Sequence, residues 1–570
     1  MAPRQIMEID GMPVEIGDQR NLLDLIRDNG IEMPTFCYHT ELSIYGACRM
    51  CMVEDERGRL MASCSTIPKA GMKIRTNTSR LRKYRKNILE LLLANHDREC
   101  TTCGKSGSCK LQELAQQFGI HQVRFPQTCP EGSMDISSPC IVRNPSKCIL
   151  CGDCVRECNE VQNVGAIDFS FRGSHARINT AFSRPIAETD CIGCGRCTAA
   201  CPTGALTIHD NTEDMWKVLD DPSVYVTCQI APAVRVALSK GLGMENDDHA
   251  VERIVAVLHR LGVDQVYDTS AGADLTVIEE SEELIHRLET GENLPLISSC
   301  CPAWVQFAEK KYRDFLPNVS TCRSPMSMFA SVIKDHLKDS EELEGKTHCH
   351  IAIMPCTAKK FEAAREEFRQ DGMPDTDMVI TTQELIRMIR SSGIIFEKLQ
   401  PEAPDTPFGT CSGAGMIFGV TGGLTEAVLR RIASDGTRTS LAHLAFTGVR
   451  GMDSVKETVV PYKDRDVRIA IVSGLANASD LLNKVRSGEV QYDFIEIMAC
   501  PGGCVSGAGQ PYEDERGRAV RGEGLYTVDR MNPTRRPQDN PLMKELYSGP
   551  LLGREHELLH VDYVKGNTLH

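Results

Sequence analysis

The sequence predicts an α/β domain, with parallel or mixed sheets flanked by helices, that follows a series of small cysteine-rich domains. Three observations support this fold class. The chain has 570 residues, which is enough for several domains. From residue 224 onward, short apolar runs with the length of buried strands alternate with helical stretches. Before residue 210, most of the cysteines fall into closely spaced clusters.

Composition and charge exclude several classes of function. The formal net charge is −14, which argues against nucleic acid as the main partner because phosphate binding needs a basic patch. No run of about 18 apolar residues predicts a membrane span, and the first residues lack the basic-then-apolar layout of a secretory signal. The 26 cysteines lie mainly in CxxC-type clusters, which indicates metal ligands in a reducing cytoplasm rather than disulfides.

The first segment, 1–78, has the pattern of a small β-rich domain with a metal centre. Residues 5–16 alternate apolar and polar around an Asp-Gly pair, which predicts a hairpin, and residues 21–30 predict a short helix ended by Gly30. The loop-rich stretch that follows supplies Cys37, Cys48, Cys51 and Cys64. Together these features suggest a β-grasp ferredoxin domain that carries a [2Fe-2S] cluster. The gap between its first two cysteines is longer than the four residues of plant-type ferredoxins.

The next segment, 79–125, presents one histidine and three cysteines. A helix is predicted over 79–95, basic on one side and leucine-rich on the other. It leads to His96, Cys100, Cys103 and Cys109. On spacing alone, a structural zinc site and a four-iron cluster are equally open. The cysteine clusters on both sides favour a His-ligated [4Fe-4S] cluster.

An internal repeat defines the segment 138–210. The pattern CxxCxxCxxxC occurs twice, as Cys148, Cys151, Cys154 and Cys158 and as Cys191, Cys194, Cys197 and Cys201. This is the pattern of two-cluster ferredoxins, in which the fourth cysteine of each run serves the other cluster. One [4Fe-4S] cluster would therefore take Cys201 with the first three cysteines, and the other would take Cys158. Asn159 stands where proline is usual after the first run.

The second half carries three cysteine loops next to predicted strands. The runs 224–232, 349–356, 468–476 and 493–500 have the length and β-branched content of buried strands. The cysteine loops read ISSCCP, IMPCTAKKFE and IMACPGGC. Open α/β sheets place their ligands at the carboxyl ends of strands, so three such loops indicate a common site rather than cysteines that only fill the core.

These loops carry a family resemblance. The motifs SSCCPAW, MPCTAKKFE and EIMACPGGC are typical of iron-only ([FeFe]) hydrogenases, which the chain resembles across nearly its whole length. The catalytic domain would cover 220–512, and the tail over 513–570 resembles the family's small-subunit segment, which wraps that domain as short helices. The N-terminal iron-sulfur domains also resemble those of the large iron-sulfur subunit of respiratory complex I.

The resemblance implies an H-cluster, which is a [4Fe-4S] cluster bridged by one cysteine sulfur to a diiron subsite with carbon monoxide, cyanide and an azadithiolate. Its ligands would be Cys301, Cys356, Cys500 and Cys504, with Cys504 bridging. Cys300 is adjacent to Cys301, so its side chain points elsewhere and does not serve the same metal atom. The resemblance makes Cys300 a free thiol that passes protons to the bridging amine, a role that suits a group able to donate and accept.

The resemblance also defines the rest of the pocket. Lys359 matches a lysine that bonds a cyanide of the subsite, and a buried lysine needs such an anionic partner. The side chains expected to pack on the diiron group or lie beside its cyanide are Met354, Met498, Phe418, Ala231 and Pro232. The chain departs from the family pattern at Ser298, Met326 and Ala508, which leaves the ligand set intact. No ligand role is assigned to Cys129, Cys140, Cys228, Cys322, Cys349 and Cys411.

A proton path is expected along a predicted helix over 276–289. By periodicity alone, its glutamates Glu279, Glu280, Glu282 and Glu283 form a solvated face. The resemblance instead selects Glu280 and Glu283, with Ser320 between them and Arg287 paired with Glu283 near the exit. The expected order is Cys300, a water, Glu280, Ser320, Glu283 and solvent. Alanine at Glu279 or Glu282 is then expected to be near neutral.

The implied reaction is the reversible conversion of two protons and two electrons to dihydrogen. Electrons would pass through a [2Fe-2S] cluster and three accessory [4Fe-4S] clusters to the H-cluster. The expected role is the catalytic subunit of a multisubunit NAD(P)- or ferredoxin-linked hydrogenase, whose partners are ferredoxin or NADH-oxidising flavoprotein subunits. Alternatives are a stand-alone ferredoxin-dependent hydrogenase, a complex I-like electron-transfer subunit, and an assembly factor or hydrogen sensor.

Overall fold

The computed structural model describes residues 5–128, 132–244, 249–370, 372–432, 440, 443–444 and 448–564. The chain forms two compact units. The first comprises Met1–Val161, Gly165–Cys191 and Arg196–Thr207, and the second comprises Gln162–Val164, Ile192–Gly195 and Ile208–His570. Among the described helices, none is both long and apolar enough to cross a membrane.

The cysteine-rich half of the chain is built from short elements. Its strands are β1 (Ile6–Ile9), β2 (Met12–Glu15), β3 (Met52–Asp55), β4 (Leu60–Ala62), β5 (Lys73–Arg75), β6 (Ile141–Arg143), β7 (Asp168–Ser170), β8 (Arg177–Asn179) and β9 (Leu206–Ile208). Its helices are α1 (Leu22–Asp28), α2 (Ser79–Ala94), α3 (Lys110–Gln117), α4 (Asp153–Arg156) and α5 (Arg196–Ala200). Strands β1 to β5 form one sheet in the order β2-β1-β5-β3-β4, and the pairs β6-β9 and β7-β8 form two small ribbons.

The predicted hairpin and helices of this half are confirmed. Strands β1 and β2 pair antiparallel across Asp10 and Gly11, both at positive φ, which is the turn that an Asp-Gly pair favours. Helix α1 begins after Asn21, whose side chain accepts a hydrogen bond from the Asp24 backbone, and the chain turns at Gly30 with φ of 76°. Helix α2 lies within one residue of its predicted range.

The second unit contains the α/β domain. Its strands are β10 (Val224–Ile230), β11 (Gln265–Asp268), β12 (Leu296–Ile297), β13 (Thr347–Met354), β14 (Arg369–Gln370), β15 (Met373–Pro374), β16 (Met378–Thr381), β17 (Val455–Tyr462), β18 (Arg465–Ser473) and β19 (Phe494–Met498). Its helices up to residue 432 are α6 (Thr212–Leu219), α7 (Pro232–Gly241), α8 (Ala250–Leu261), α9 (Ser270–Thr290), α10 (Pro302–Lys311), α11 (Pro325–Leu337), α12 (Ala358–Ala363), α13 (Thr382–Ser392), α14 (Gly413–Met416) and α15 (Gly423–Ile432). The later helices are α16 (Leu475–Ser487), α17 (Glu515–Met531), α18 (Pro541–Ser548) and α19 (Glu555–Leu559).

Two four-stranded sheets organise this domain, as the predicted fold class requires. One has the order β11-β10-β13-β16 and its strands are all parallel. The other has the order β12-β19-β18-β17, with β17 antiparallel to β18 and the remaining pairs parallel. The four predicted strands correspond to β10, β13, β18 and β19. Strands β12 and β19 run parallel to each other in one sheet, and β13 is parallel to both of its neighbours in the other. The loops that follow these three strands therefore start at the carboxyl ends of the parallel strands.

Helix α9 is longer than predicted and more deeply packed. It begins at Ser270, six residues or about 1.7 turns before the predicted start at residue 276. It packs against α11, α14 and α15. At Gly272 an added Cβ would lie 2.4 Å from the backbone oxygen of Pro325, so glycine lets α9 approach α11 closely. Several faces of α9 are therefore covered, which a one-sided helical pattern does not predict.

The tail begins with a longer helix than expected. Helix α17 has 17 residues, and the shorter α18 and α19 follow it. Apolar side chains of α18 and α19, including Leu542, Leu546 and Leu559, share one core with Leu275 of α9 and Phe329 of α11. The tail thus packs on α9, the helix that carries Glu280 and Glu283 of the proposed proton path.

Candidate active site and metal centres

The three cysteine loops of the second unit lie at the carboxyl ends of strands. Cys301 follows β12, Cys356 follows β13, and Cys500 follows β19. The charge of Cys301 contributes to raising the pKa of Cys356, and those of Cys356 and Cys301 contribute to raising that of Cys504. The Ala499 backbone N–H also points at Cys301 Sγ, 3.5 Å away. The sulfurs of Cys301, Cys356 and Cys504 therefore lie near one another, although β12 and β13 belong to two different sheets.

Glycines in the last loop allow this close approach. Gly503 has a φ of 93°, and an added Cβ would lie 2.6 Å from the backbone nitrogen of Thr421. At Gly507 an added Cβ would lie 2.1 Å from the backbone oxygen of Pro355. Because no side chain fits at either position, the Cys504 loop packs backbone to backbone against its neighbours.

The donor set fits an iron-sulfur cluster. Burial is the main cause that raises the pKa of the Cys356 thiol, to about 11, and it raises the pKa values of Cys301 and Cys504 as well. Thiolates packed together without a cation would repel one another, whereas a bound cluster needs thiolate ligands and compensates their charge. Soft sulfur donors in this arrangement select iron-sulfur clusters or similar metals.

Lys359 places a buried cation beside these loops. Its Nζ donates to Ser324 Oγ at 2.6 Å, pairs with Glu362 at 2.5 Å and lies 3.5 Å from the Cys300 backbone oxygen. Burial lowers its pKa, but the Glu362 carboxylate together with the charges of Cys356 and Cys300 outweighs burial, so the pKa is raised overall. The side chain therefore stays charged and can hold an anionic group such as cyanide.

The predicted apolar lining is buried around the same loops. Met354 and Met498 are the last residues of β13 and β19 and are 2% and 3% exposed. Ala231 donates its backbone N–H to Ile353, so the start of α7 lies beside the end of β13. Phe418 shares an apolar cluster with Cys300. Pro232, the first residue of α7, is also buried.

The departure at Ser298 is accommodated by the sheet. Ser298 is buried, and its hydroxyl accepts a hydrogen bond from the Ile497 backbone at 3.3 Å. Its backbone oxygen accepts one from Trp304 at 3.1 Å. The serine thus fixes the end of β12 against β19 just before Cys300.

Glu280 is fully buried, so the interpretation of all four glutamates as a solvated face is wrong for this residue. It is 0% exposed, and neither carboxyl oxygen has a hydrogen-bond partner within the described part of the chain. Burial is the main cause that raises its pKa well above 4.5, and the charges of Glu283 and Glu496 add to it. Burial and the nearby Glu280 charge also raise the pKa of the Cys300 thiol well above 9. Both groups therefore hold protons at neutral pH.

Glu283 lies next to Ser320, as the predicted proton path expects. Its Oε2 accepts a hydrogen bond from Ser320 Oγ at 2.7 Å, and its Oε1 lies 2.5 Å from Arg287. Arg287 also donates to the backbone oxygens of Asn293 and Asn318, which fixes its position. The structure thus brings together the side chains expected toward the exit. The water expected between Cys300 and Glu280 stays a prediction.

Two acidic residues near the path were missed or misjudged from sequence. Glu496 is fully buried in β19 and accepts hydrogen bonds from Gly422 and Thr425 at the start of α15. A single charged residue in the apolar run FIEIM was the available signal. Glu279, expected to be solvated, is largely covered and pairs with His560 of the tail at 2.9 Å.

The sulfurs predicted for the [2Fe-2S] centre lie together in the first unit. The Cys48 backbone N–H points at Cys37 Sγ, 3.2 Å away. Side-chain hydrogen bonds from Cys37 and from Cys64 lower the pKa values of Cys48 and Cys51, respectively, to about 6. The charges of Cys37 and Cys48 also reach Cys64. The four thiols thus form one group.

The histidine motif contains a buried imidazole and three cysteines that lie near one another. His96 is 5% exposed, and its Nδ1 has no hydrogen-bond partner within the described part of the chain. Burial, followed by the charge of Lys147, lowers its pKa to about 4, so the imidazole is neutral as a metal ligand must be. Cys103 and Cys100 contribute to raising the pKa of Cys109, after burial. This arrangement suits zinc and iron-sulfur alike.

The two-cluster repeat is folded with its runs crossed. One pocket is lined by the sulfur-bearing residues Cys148, Cys151, Cys154 and Cys201. Burial raises the pKa of Cys197, and the charges of Cys191 and Cys158 add to it, so these three also lie together. Cys194, the remaining predicted member, lies in the Ile192–Gly195 segment. Each run thus contributes its last cysteine to the neighbourhood of the other.

Most cysteines without a predicted role are core residues. Cys140, Cys228 and Cys349 are buried, and Cys228 and Cys349 belong to the same apolar core around β10 and β13. Cys411 is partly buried near Asp268 and Asp274. Cys129 lies outside the described residues.

Comparison with known families assigns each part of the chain. The iron only hydrogenase large subunit, C-terminal domain, matches residues 224–508, and the iron hydrogenase small subunit matches 514–566. The 2Fe-2S iron-sulfur cluster binding domain matches 6–79, and the 4Fe-4S dicluster domain matches 147–216. The NADH-ubiquinone oxidoreductase-G iron-sulfur binding region matches 85–124, which favours a cluster over zinc in that segment.

Similar proteins cover the whole chain. It is 40% identical to subunit HndD of the NADP-reducing hydrogenase of Solidesulfovibrio fructosivorans, over 98% of this chain and 99% of the relative. It is 32% identical to iron hydrogenase 1 of Clostridium pasteurianum, with the same coverage of 98% and 99%. A solved structure of the [FeFe]-hydrogenase HydA1 from Chlamydomonas reinhardtii is 38% identical, with a TM-score of 0.55, and the match covers 63% of this chain and 99% of that chain.

The match over 224–508 rules out the complex I-like electron-transfer subunit, which would lack this catalytic domain. Full-length similarity to two hydrogenases agrees with the cysteine loops, the buried thiol and the buried carboxyl described above. The chain therefore belongs to the iron-only ([FeFe]) hydrogenases, oxidoreductases that act on dihydrogen at an H-cluster, and it adds [2Fe-2S] and [4Fe-4S] domains before the catalytic domain.

Proposed function

We propose that this chain is the catalytic subunit of a multisubunit cytoplasmic hydrogenase that links dihydrogen to NAD(P) or ferredoxin. The main support is the arrangement of the second unit. Three cysteine loops meet at strand ends, and Cys300 and Glu280 lie beside them as protonated, buried groups. That combination serves a reaction that consumes or releases protons at a buried metal centre.

The ligands of the H-cluster are assigned to Cys301, Cys356, Cys500 and Cys504, with Cys504 as the bridging residue. When bound, the H-cluster supplies the redox chemistry of dihydrogen and an amine that exchanges protons. Lys359 would bind a cyanide of the subsite; the support is that it is a buried cation whose Nζ lies 3.5 Å from the Cys300 backbone oxygen. Met354 and Met498, buried at the ends of β13 and β19, would exclude water from the diiron group.

The proton path is assigned to Cys300, Glu280, Ser320 and Glu283. Cys300 and Glu280 exchange a proton in the buried part of the path, where both are neutral. Ser320 can accept a proton from Glu280 and pass its own to Glu283, to which it is already hydrogen-bonded at 2.7 Å. Glu283 accepts a hydrogen bond from Arg287, which fixes the position of its carboxyl group at the outer end of the assigned path.

The N-terminal domains are assigned four accessory clusters. The [2Fe-2S] cluster would bind Cys37, Cys48, Cys51 and Cys64, and one [4Fe-4S] cluster would bind His96, Cys100, Cys103 and Cys109. The two ferredoxin-type clusters would bind the crossed sets described above. Each centre accepts one electron at a time, which suits delivery to or from a single-electron carrier or a flavin.

The multisubunit assignment predicts a stable complex. The relative from Solidesulfovibrio fructosivorans is named as a subunit of an NADP-reducing hydrogenase, and this chain matches it along its whole length. Affinity purification from the native cells should therefore retain flavin-containing subunits and NAD(P)H-dependent hydrogen production. Isolation of a lone 63.0 kDa species with full activity toward ferredoxin would contradict the proposal and favour a stand-alone enzyme.

A further inference from the structure

A second set of titratable side chains lies beside the proposed proton path, where the tail packs against α9. Glu279 lies one turn before Glu283 on α9, so the two are neighbours on its surface. The Oε2 atom of Glu279 lies 2.9 Å from His560 Nε2, and its Oε1 accepts a hydrogen bond from the Tyr547 hydroxyl. His560 Nδ1 lies 2.8 Å from the hydroxyl of Thr321, whose backbone N–H donates to Glu283.

Cys322 lies between these groups and the path. It is 0% exposed, and its Sγ lies 4.0 Å from Glu283 Oε2, close to the limit for a thiol hydrogen bond. Burial raises the pKa of this thiol, and the charges of Glu283, Glu280 and Glu279 raise it further, so the thiol faces all three carboxyls. Cys322 also contributes to raising the pKa of Tyr547. The Cys322 thiol thus lies near Glu280 and Glu283 of the proposed path and also near Glu279.

Several charged groups surround His560. Glu279 and Tyr547 reach it from α9 and α18, as described. The ring of His556, one turn earlier on α19, lies 4.6 Å from the His560 ring between centroids. Arg323, from the loop before α11, donates to the backbone oxygen of His560 at 3.0 Å. Burial raises the pKa of Glu279, but hydrogen bonds from His560 and Tyr547 outweigh burial and lower it, so Glu279 is a carboxylate.

Glu283 has limited access to solvent of its own. Its side chain is 13% exposed and is held by Arg287, Ser320 and the Thr321 backbone. Imidazoles exchange protons between about pH 5 and 8 and carry one nitrogen to accept a proton and another to release it. His560, whose side chain is 10% exposed at the edge of the tail, has the chemistry that the outer end of a proton path needs.

We propose that Cys322, Glu279 and His560 form a second outlet. This outlet carries protons between Glu283 and solvent at the edge of the tail, where His560 lies. When dihydrogen is oxidised, the O–H bond of Glu283 breaks as the Cys322 sulfur accepts its proton, and the S–H proton of Cys322 passes to Glu279. The imidazole of His560, in the tautomer with its hydrogen on Nδ1, then accepts the Glu279 proton at Nε2, which restores the Glu279 carboxylate and its hydrogen bond from Nε2. His560 releases the proton on Nδ1 through the Thr321 hydroxyl to water, and a shift of the ring hydrogen from Nε2 to Nδ1 resets the imidazole. Proton reduction reverses each step, and no electrons move.

This inference rests on the proposed path through Glu283, but it has a readout that needs no dihydrogen chemistry. Protein that carries its accessory clusters but lacks the diiron subsite should show an S–H stretching band in the infrared that disappears in Cys322→Ala. This band should shift with pH in the wild-type protein and stay fixed in His560→Gln. A band that does not shift in the wild type, or that shifts equally in His560→Gln, would overturn the outlet.

The complete enzyme gives a second test. His560→Gln and Cys322→Ala should each lower turnover by about tenfold, less than the 10²–10⁴ expected for a whole path, because Glu283 keeps its own exit. Both should also remove an inflection from the pH profile of turnover. The matched control is His556→Gln, since His556 is exposed on the same helix and should keep the inflection.

A purely structural clamp would behave differently. Tyr547→Phe removes a hydrogen bond to the same Glu279 carboxylate and leaves the titratable chain in place. The outlet predicts that Tyr547→Phe keeps the pH inflection that His560→Gln removes. Equal pH profiles in these two variants would mean that His560 only holds the tail in place, which would overturn the proposal.

Discussion

Replacing Cys300 by alanine should lower turnover by about 10²–10⁴-fold while every iron-sulfur centre remains in place, since a positioned proton-transfer group contributes about that factor. Cys300 is the thiol beside the cluster loops, and burial together with the Glu280 charge keeps it protonated. The variant removes the thiol without removing an assigned ligand. Dihydrogen production assayed with an artificial electron donor, alongside an infrared spectrum of the active site, measures both effects.

A second cysteine provides the control. Cys349→Ala also removes a buried thiol, but Cys349 lies near the start of β13, at the opposite end from Cys356. It should retain near wild-type turnover. Full activity in Cys300→Ala would mean that protons reach the site without this thiol, and the assigned path would have to be abandoned.

Replacing Glu280 by glutamine should cause a comparable loss of about 10²–10⁴-fold in turnover. Glutamine has nearly the same shape and is neutral, as the Glu280 carboxyl is in the folded protein, so the variant tests proton transfer rather than packing. The control is Glu282→Gln, because the Glu282 side chain is 58% exposed and forms an ion pair with Arg431. Glu282→Gln should leave turnover nearly unchanged.

The Glu280→Gln variant should also change how stability depends on pH. The folded-state pKa of Glu280 is raised well above 4.5, so above about pH 4.5 the folded protein holds a proton that the unfolded chain has lost. This group therefore makes the folded protein less stable as the pH rises above about 4.5. Glu280→Gln removes this dependence and should melt no lower than the wild type at pH 8. If Glu280→Gln retained full activity with an intact infrared spectrum, the proton path would not pass through Glu280.

Local patterns in the sequence were enough to predict the secondary structure that depends on them. The Asp10-Gly11 turn, the Gly30 helix end and the strands β10, β13, β18 and β19 follow from backbone preferences and apolar runs. The CxxC-type spacings identify candidate ligands because ligands of one cluster often come from one short segment. Which distant loops meet at one site came from the family resemblance instead.

Tertiary burial could not be predicted from periodicity. Glu280 lies on α9, which packs against helices on several sides, so a polar position in the pattern became a buried carboxyl. Glu279 is covered by Tyr547 and His560, which lie 268 and 281 residues away in sequence. Such contacts leave no local signal, and Cys322 had none until the structure placed it among three carboxyls.

The central claim is that Cys301, Cys356, Cys500 and Cys504 hold an H-cluster. Infrared spectroscopy of the protein matured with the full assembly system tests it most directly, because few other protein sites carry both carbon monoxide and cyanide. The account predicts bands from both metal-bound ligands, which Cys504→Ala should lose. A matured, iron-loaded wild-type protein with neither band would contradict the account.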